Sequence, residues 1–377
     1  MSDKNKINFC GKPFGENSPP LIVAEIGFNH NGNVDLARKM IMSAAKHGAD
    51  IVKLQTFIGG ELISKTFRAQ DPDQSGREIF LYEFFQRYQL TRKEYESLFK
   101  YSRGLGIQLF STPFDETSLD MLVDLGVPAI KVASSDLTYL PFLKRVGETG
   151  LPLVISTGMG TNEEIETALK AVRCGGNENI ILLHCVSNYP SQYHEMNLAC
   201  IKEISSRFKL PVGLSDHTMD NLSGIVAASL GAVMIEKHFT IDRKLPGVDQ
   251  KISMEPSELA GLKEATVNVR TLLGDGEKKV QDSEKPVKRK VTETVETLQT
   301  KPAKIVPTPT EVQSSVSLKI DDGDSIITTS DAPTVKWDED VDGTNSQLDL
   351  DGSTWGGLRQ KIGIPMNNSP RDVRVQR

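Results

Sequence analysis

The chain has 377 residues, enough for one large core or two ordinary ones, and its 38% hydrophobic and 25% charged residues are the balance of a globular protein. With 44 basic and 50 acidic side chains the formal charge is −6, which argues against nucleic acid or an anionic membrane as the main partner. An anionic substrate stays open, because a site needs only two or three local cations. Cys10, Cys174, Cys185 and Cys200 show no C-x-x-C spacing, and neither an apolar leader nor an apolar run of membrane-spanning length is present. The expectation is a cytoplasmic protein with reduced thiols.

Residues 1–20 are expected to form an N-terminal cap, with a short hairpin within 6–20. From 21 to 275 one unit recurs: a short apolar run, a polar corner, then an amphipathic stretch. The apolar runs are 21–26, 51–55, 107–111, 129–133, 153–157, 180–186, 212–215 and 233–237. They are dense in Ile, Leu and Val and do not alternate, as expected of parallel strands buried on both faces. Helical patterns follow most of them, for example at 34–47, 115–125, 162–172 and 221–230. Eight such units in this length predict a (β/α)8 TIM barrel over 21–275, its bottom closed by the hairpin. The competing fold, a doubly wound open sheet, normally shows a glycine-rich phosphate loop after its first strand, and EIGFNHNG is not G-x-G-x-x-G.

Residues 57–90 exceed an ordinary connection and are expected to pack partly over the barrel mouth as a lid. After residue 275 the texture turns to Lys, Thr, Pro and Glu, then to an acidic stretch. Residues 276–377 read as a linker and a polar, mostly disordered tail.

In such a barrel the reactive side chains sit at the C-terminal ends of the strands. There the sequence places Glu25; Lys53 and Gln55; Thr112; Lys131 and Ser134; Ser187 and Tyr189; Ser215, Asp216 and His217; and Glu236 and His238. Lys53 and Lys131 lie in apolar strand sequence, and a buried lysine needs an anion close by. That anion is either a barrel carboxylate such as Glu25 or Glu236, or a bound dianion. A third possibility makes one lysine a Schiff-base nucleophile. His217 and His238 end neighbouring strands and could converge on one divalent ion, with Glu236, Asp216 or water completing its shell. A lone histidine or serine there would more simply be a satisfied structural group or a helix cap.

The strings AEIGFNHNG, DIVKLQTF, FSTPFD, IKVASSDL, ISTGMG, LLHCVSNYP, GLSDHT and EKHFT, with DRKLPGVD after them, run in order through residues 14–275. They resemble the sialic acid synthase family: the N-acetylneuraminate, legionaminate and pseudaminate synthases. The resemblance implies metal-dependent condensation of phosphoenolpyruvate with an N-acylated, N-acetylmannosamine-like amino sugar, giving a nine-carbon 2-keto acid and phosphate. It implies a manganese or magnesium ion on His217 and His238. Phosphoenolpyruvate would be held by Lys53, Thr112, Lys131, Ser134, Ser187 and Ser215, and the open-chain sugar by Glu25, Gln55, Tyr189 and Asp249. Glu25 or Glu236 would carry the proton transfers.

Two departures stand out. Gln250 follows PGVD where the family commonly has His. The family's usual C-terminal antifreeze-like domain, which lends an arginine to the partner's site in a homodimer, is not recognisable in 286–377. Two further readings stay open: a condensing enzyme for a phosphorylated sugar, and a barrel scaffold whose tail recruits partners.

Overall fold

The computed structural model describes residues 7–15, 18–72 and 76–300. Its centre is a closed parallel barrel of eight strands: β3 (Leu21–Gly27), β4 (Ile51–Thr56), β7 (Gln108–Pro113), β8 (Ile130–Val132), β9 (Leu153–Ser156), β10 (Ile180–Cys185), β11 (Val212–Asp216) and β12 (Met234–His238). The barrel closes where β12 pairs with β3, from Met234 beside Leu21 to His238 beside Glu25. Each of the eight apolar runs became one of these strands.

Eight helices surround them: α1 (Val34–Lys46), α4 (Arg92–Gly104), α5 (Glu116–Asp124), α6 (Leu140–Glu148), α7 (Asn162–Cys174), α8 (Cys200–Phe208), α9 (Leu222–Ser229) and α10 (Pro256–Leu273). Their boundaries follow local chemistry. In α1, Ala37, Met40, Ile41 and Ala44 recur at helical spacing and are buried, and the Asn33 side chain accepts from the first free backbone N–H groups. Thr91 and Thr161 start α4 and α7 with capping boxes closed by Glu94 and Glu164.

The strands bury two apolar surfaces. One packs outward against the helices. The other lines the barrel interior, with Leu21, Val23, Ile51, Phe110, Ala129, Val154, Ile181, Leu183 and Met234. Beneath it lies the expected hairpin, β1 (Ile7–Phe9) paired with β2 (Lys12–Phe14). Its two-residue turn, Cys10 and Gly11, has positive φ at both positions, the twist a tight hairpin favours. Phe9 stands edge-on to Phe14 and to Phe110, with ring centres 6.4 and 6.1 Å apart, and so plugs the barrel floor.

The long segment after β4 holds α2 (Gly59–Leu62), the hairpin of β5 (Arg68–Gln70) and β6 (Glu78–Phe80), and α3 (Leu81–Tyr88). Phe57, Phe84, Phe85 and Tyr88 gather round Phe28 just beyond β3 and β4. The segment therefore packs at the mouth, where a lid was expected.

The chain divides after Val280. In the second part, residues expected to be irregular linker form a helix, α11 (Lys285–Thr300). Pro286 sits in its first turn, where proline is tolerated, and Arg289 reaches Glu293 at 3.5 Å one turn on. The rest of the expected disordered tail, 301–377, lies outside the described residues, as do residues 1–6 of the cap. Among the described residues no helix is long and apolar enough to cross a membrane.

Candidate active site

Side chains of a strand alternate between faces, so the residue two beyond each interior apolar side chain also faces inward. Those next positions are Glu25 on β3, Lys53 on β4, Thr112 on β7, Lys131 on β8, Ser156 on β9, Cys185 on β10 and Glu236 on β12. All seven are buried. The interior thus changes within one layer from apolar to ionic, at the end of the barrel where reactive residues belong.

The charges of that layer are paired unevenly. Lys53 Nζ lies 2.6 Å from Glu25 and 3.2 Å from Glu236 Oε1, and donates to Thr112 Oγ1 at 3.2 Å. Lys131 Nζ donates to the Val132 carbonyl at 3.1 Å and stands 3.7 Å from Glu236 Oε1. Ser215 Oγ donates to the same Glu236 oxygen at 3.3 Å. Burial alone would raise the Glu236 carboxyl, but Lys131 and Lys53 outweigh it and hold it down at about 2. Burial pulls Lys53 down to about 7 against the opposing charge of Glu236. Lys53 is committed to carboxylates, whereas Lys131 has the weaker carboxylate contact.

Beside Lys131 the hydroxyls converge. Ser134 Oγ accepts from the Gly158 N–H at 3.0 Å. A Cβ on Gly158 would stand 2.3 Å from Ser187 Oγ, 2.8 Å from Ser134 Oγ and 3.1 Å from Cys185 Sγ, so only glycine lets these groups share the space. On the far side, Gly27 (φ 49) does the same for Glu25 and Gln55: a Cβ there would meet Glu25 Oε1 at 2.8 Å and Gln55 Nε2 at 3.1 Å. Glu25 Oε1 and Glu236 Oε2 are buried without a hydrogen-bond partner.

Above the ionic layer the two histidines come together as expected, with ring centres 5.6 Å apart. Tyr189 lies over His217 at 4.0 Å and 5.9 Å from His238. His217 Nδ1 bonds the Val186 carbonyl at 2.8 Å. His238 Nδ1 is buried without a hydrogen-bond partner, 3.7 Å from Asp249 Oδ2. Burial, reinforced by His217, holds His238 well below the usual histidine range, so its imidazole is neutral, as a ligand must be. Burial raises the Asp249 carboxyl to about 6, with His217 opposing. Among the described residues no group of three or more His, Cys, Asp or Glu is placed to hold a metal ion.

Asp216 does not join that pair. It faces outward, where it meets the buried Lys237 at 2.9 Å and accepts from Thr218 N and Oγ1, which fixes the turn carrying His217. Two inward groups escaped the sequence reading. Ser156 is buried with its hydroxyl unpartnered, and Cys185 lies 4.0 Å from His217 Nδ1. Reading the last residue of each run missed them; counting by twos from the interior side chains finds both.

Residues 40–278 match the NeuB family. The chain is 39% identical over 294 residues to the N,N'-diacetyllegionaminic acid synthase of Legionella pneumophila, covering 76% of this chain and 82% of that one. It is 34% identical over 266 residues to the pseudaminic acid synthase of Helicobacter pylori, covering 70% and 78%. The crystal structure of N-acetylneuraminic acid synthetase from Leptospira borgpetersenii serovar Hardjo-bovis, in complex with citrate, superposes with a TM-score of 0.68 at 34% identity, over 78% of this chain and 98% of that one. With its motifs in order along a closed barrel, the chain belongs to the NeuB family, the family of the sialic (nonulosonic) acid synthases, and is an enzyme of that family.

Proposed function

We propose that the enzyme condenses phosphoenolpyruvate with the open-chain form of an N-acylated, N-acetylmannosamine-like amino sugar, releasing phosphate and a nine-carbon 2-keto acid. The observation that carries this reading is Lys131, a buried ammonium with a loose carboxylate contact beside the hydroxyls gathered at Gly158. A compact dianion would suit such a group, because burial deprives the lysine and the hydroxyls of water and leaves an anion as their natural partner.

Lys131, Ser134 and Ser187 would hold the phosphate and carboxylate of phosphoenolpyruvate, with Lys53, Thr112 and Ser215 fixing the layer beneath. Its C3 carbon is then free to attack the sugar aldehyde, which Gln55, Tyr189 and Asp249 would orient. His217 and His238 would hold a divalent cation, manganese or magnesium, which when bound supplies Lewis acidity to the sugar carbonyl. A new C–C bond forms, the aldehyde oxygen takes a proton, and water adds at C2. The C2–O bond then breaks, phosphate leaves and the ketone remains. Lys131 and Lys53 hold the Glu236 carboxyl down, which suits it to balancing their charge more than to donating a proton. Glu25, with one oxygen unpartnered beside Gln55, is the better placed group for proton transfer.

Schiff-base chemistry at a lysine is the mechanism this reading excludes. Treatment with pyruvate and borohydride is expected to leave Lys53 and Lys131 unmodified by mass spectrometry, and pyruvate is expected not to replace phosphoenolpyruvate. A borohydride-trapped adduct on either lysine would reverse the assignment.

A further inference from the structure

Gln250 is completely buried in the loop between β12 and α10. Both ends of its amide are used. Oε1 accepts from Thr240 Oγ1 at 2.5 Å, and Nε2 donates to the Asn29 carbonyl at 2.8 Å and to the Pro246 carbonyl at 3.4 Å. These partners lie on three stretches: the exit of β12, the turn after β3, and the outer part of the 241–249 loop. Asn29 strengthens the tie by donating to the Phe239 carbonyl at 2.9 Å and to Ser253 Oγ at 2.8 Å. Ser253 Oγ in turn donates to the backbone carbonyl of Asp249 at 2.7 Å. The loop is thereby bound to the seam at which β12 closes on β3.

The neighbouring side chain that this loop delivers to the site is Asp249, whose carboxylate stands 3.7 Å from His238 Nδ1. Burying an amide is unfavourable unless every polar atom is satisfied, and an apolar side chain of equal volume would fill the space without that demand. The hydrogen bonds tie together the segments on either side of Asp249, and so they fix the height and direction of its carboxylate.

We infer that Gln250 is a positioning residue for the sugar half of the site: its amide sets where Asp249 stands, and thereby the fit of the amino sugar, without touching substrate. The inference rests on the proposed reading that Asp249 meets the sugar. Gln250→Met keeps the volume and removes all three bonds. With N-acetylmannosamine it is expected to raise the sugar Michaelis constant about tenfold. The phosphoenolpyruvate constant should stay within about twofold and kcat within about threefold. Gln250→Glu should act in the same direction, since a carboxylate cannot donate to two carbonyls. Gln250→His keeps one N–H donor and one acceptor nitrogen and should recover most of the affinity.

Hydrogen exchange supplies a readout independent of the sugar chosen. Amides of 241–249 are expected to exchange about tenfold faster in Gln250→Met, with the other barrel loops unchanged. Should that variant fail to fold, Thr240→Val removes the bond to Gln250 together with two 3.2 Å bonds to the backbone of Asp242, and is read at residues 243–249. Unchanged loop exchange, or both Michaelis constants rising together without rescue by His, overturns the inference. Asp249→Asn separates it from the reading beneath. If that change leaves the sugar constant alone, Asp249 does not meet the sugar. If it raises the constant while folded Gln250 variants do not, only the role of Gln250 falls.

Discussion

Lys131→Met is expected to raise the Michaelis constant for phosphoenolpyruvate about a hundredfold, the loss of a charge-assisted contact worth roughly 2–3 kcal/mol in a desolvated site. Its effect on folding should be smaller than its effect on binding, because its carboxylate contact is the looser one, 3.7 Å from Glu236. Lys53→Met makes the contrast. Lys53 lies 2.6 Å from Glu25, whose other oxygen has no hydrogen-bond partner, so the substitution strands a buried carboxylate. Breaking a buried pair in this way costs about 3–5 kcal/mol, and the thermal midpoint should fall much further than in Lys131→Met. Steady-state kinetics beside thermal unfolding of the two variants checks the pattern. Equal losses of stability with an unchanged phosphoenolpyruvate constant in Lys131→Met would reduce both lysines to structural ion pairs.

Removal of divalent cations should have the largest effect of all. A chelator is expected to stop condensation, and Mn²⁺, Mg²⁺ or Co²⁺ to restore it. His217→Ala and His238→Ala should each lower kcat about a thousandfold, the scale of losing an electrophilic stabiliser in a preorganised site. Unfolding should stay cooperative in both, because the two rings stand at the mouth, above the packed layers of the barrel. Metal-stripped protein turning over at full rate would refute this assignment.

The barrel was legible because strands buried on both faces read as unbroken apolar runs, a signal that needs no knowledge of the partner strand. Boundaries were read less well: the run at 129–133 contributes only Ile130–Val132, and that at 107–111 extends as Gln108–Pro113. Lys53 and Lys131 looked alike in sequence, each a lysine in an apolar strand. Their different commitments depend on β3 and β12 delivering Glu25 and Glu236, a consequence of barrel closure that no local pattern encodes. Asp216 was placed among metal-ligand candidates for its position beside His217, yet it faces the helices because neighbours on a strand point opposite ways. The role of Gln250 was hidden for a similar reason, since its partners stand 10 and 221 residues away. In α11 a helix formed where composition suggested only linker; Pro286 falls in its first turn, where its missing N–H is tolerated, and Arg289 pairs with Glu293 one turn on.

The most direct measurement tracks phosphate and carbon together: phosphoenolpyruvate is mixed with a panel of N-acylated hexosamines, with and without Mn²⁺, and phosphate and 2-keto acid are quantified in the same sample. The predicted result is phosphate release that requires both the amino sugar and the cation, matched mole for mole by a product three carbons longer than the sugar. Phosphate appearing at the same rate without any sugar, or a product formed while phosphate stays bound to carbon, would contradict the condensation assigned to this site.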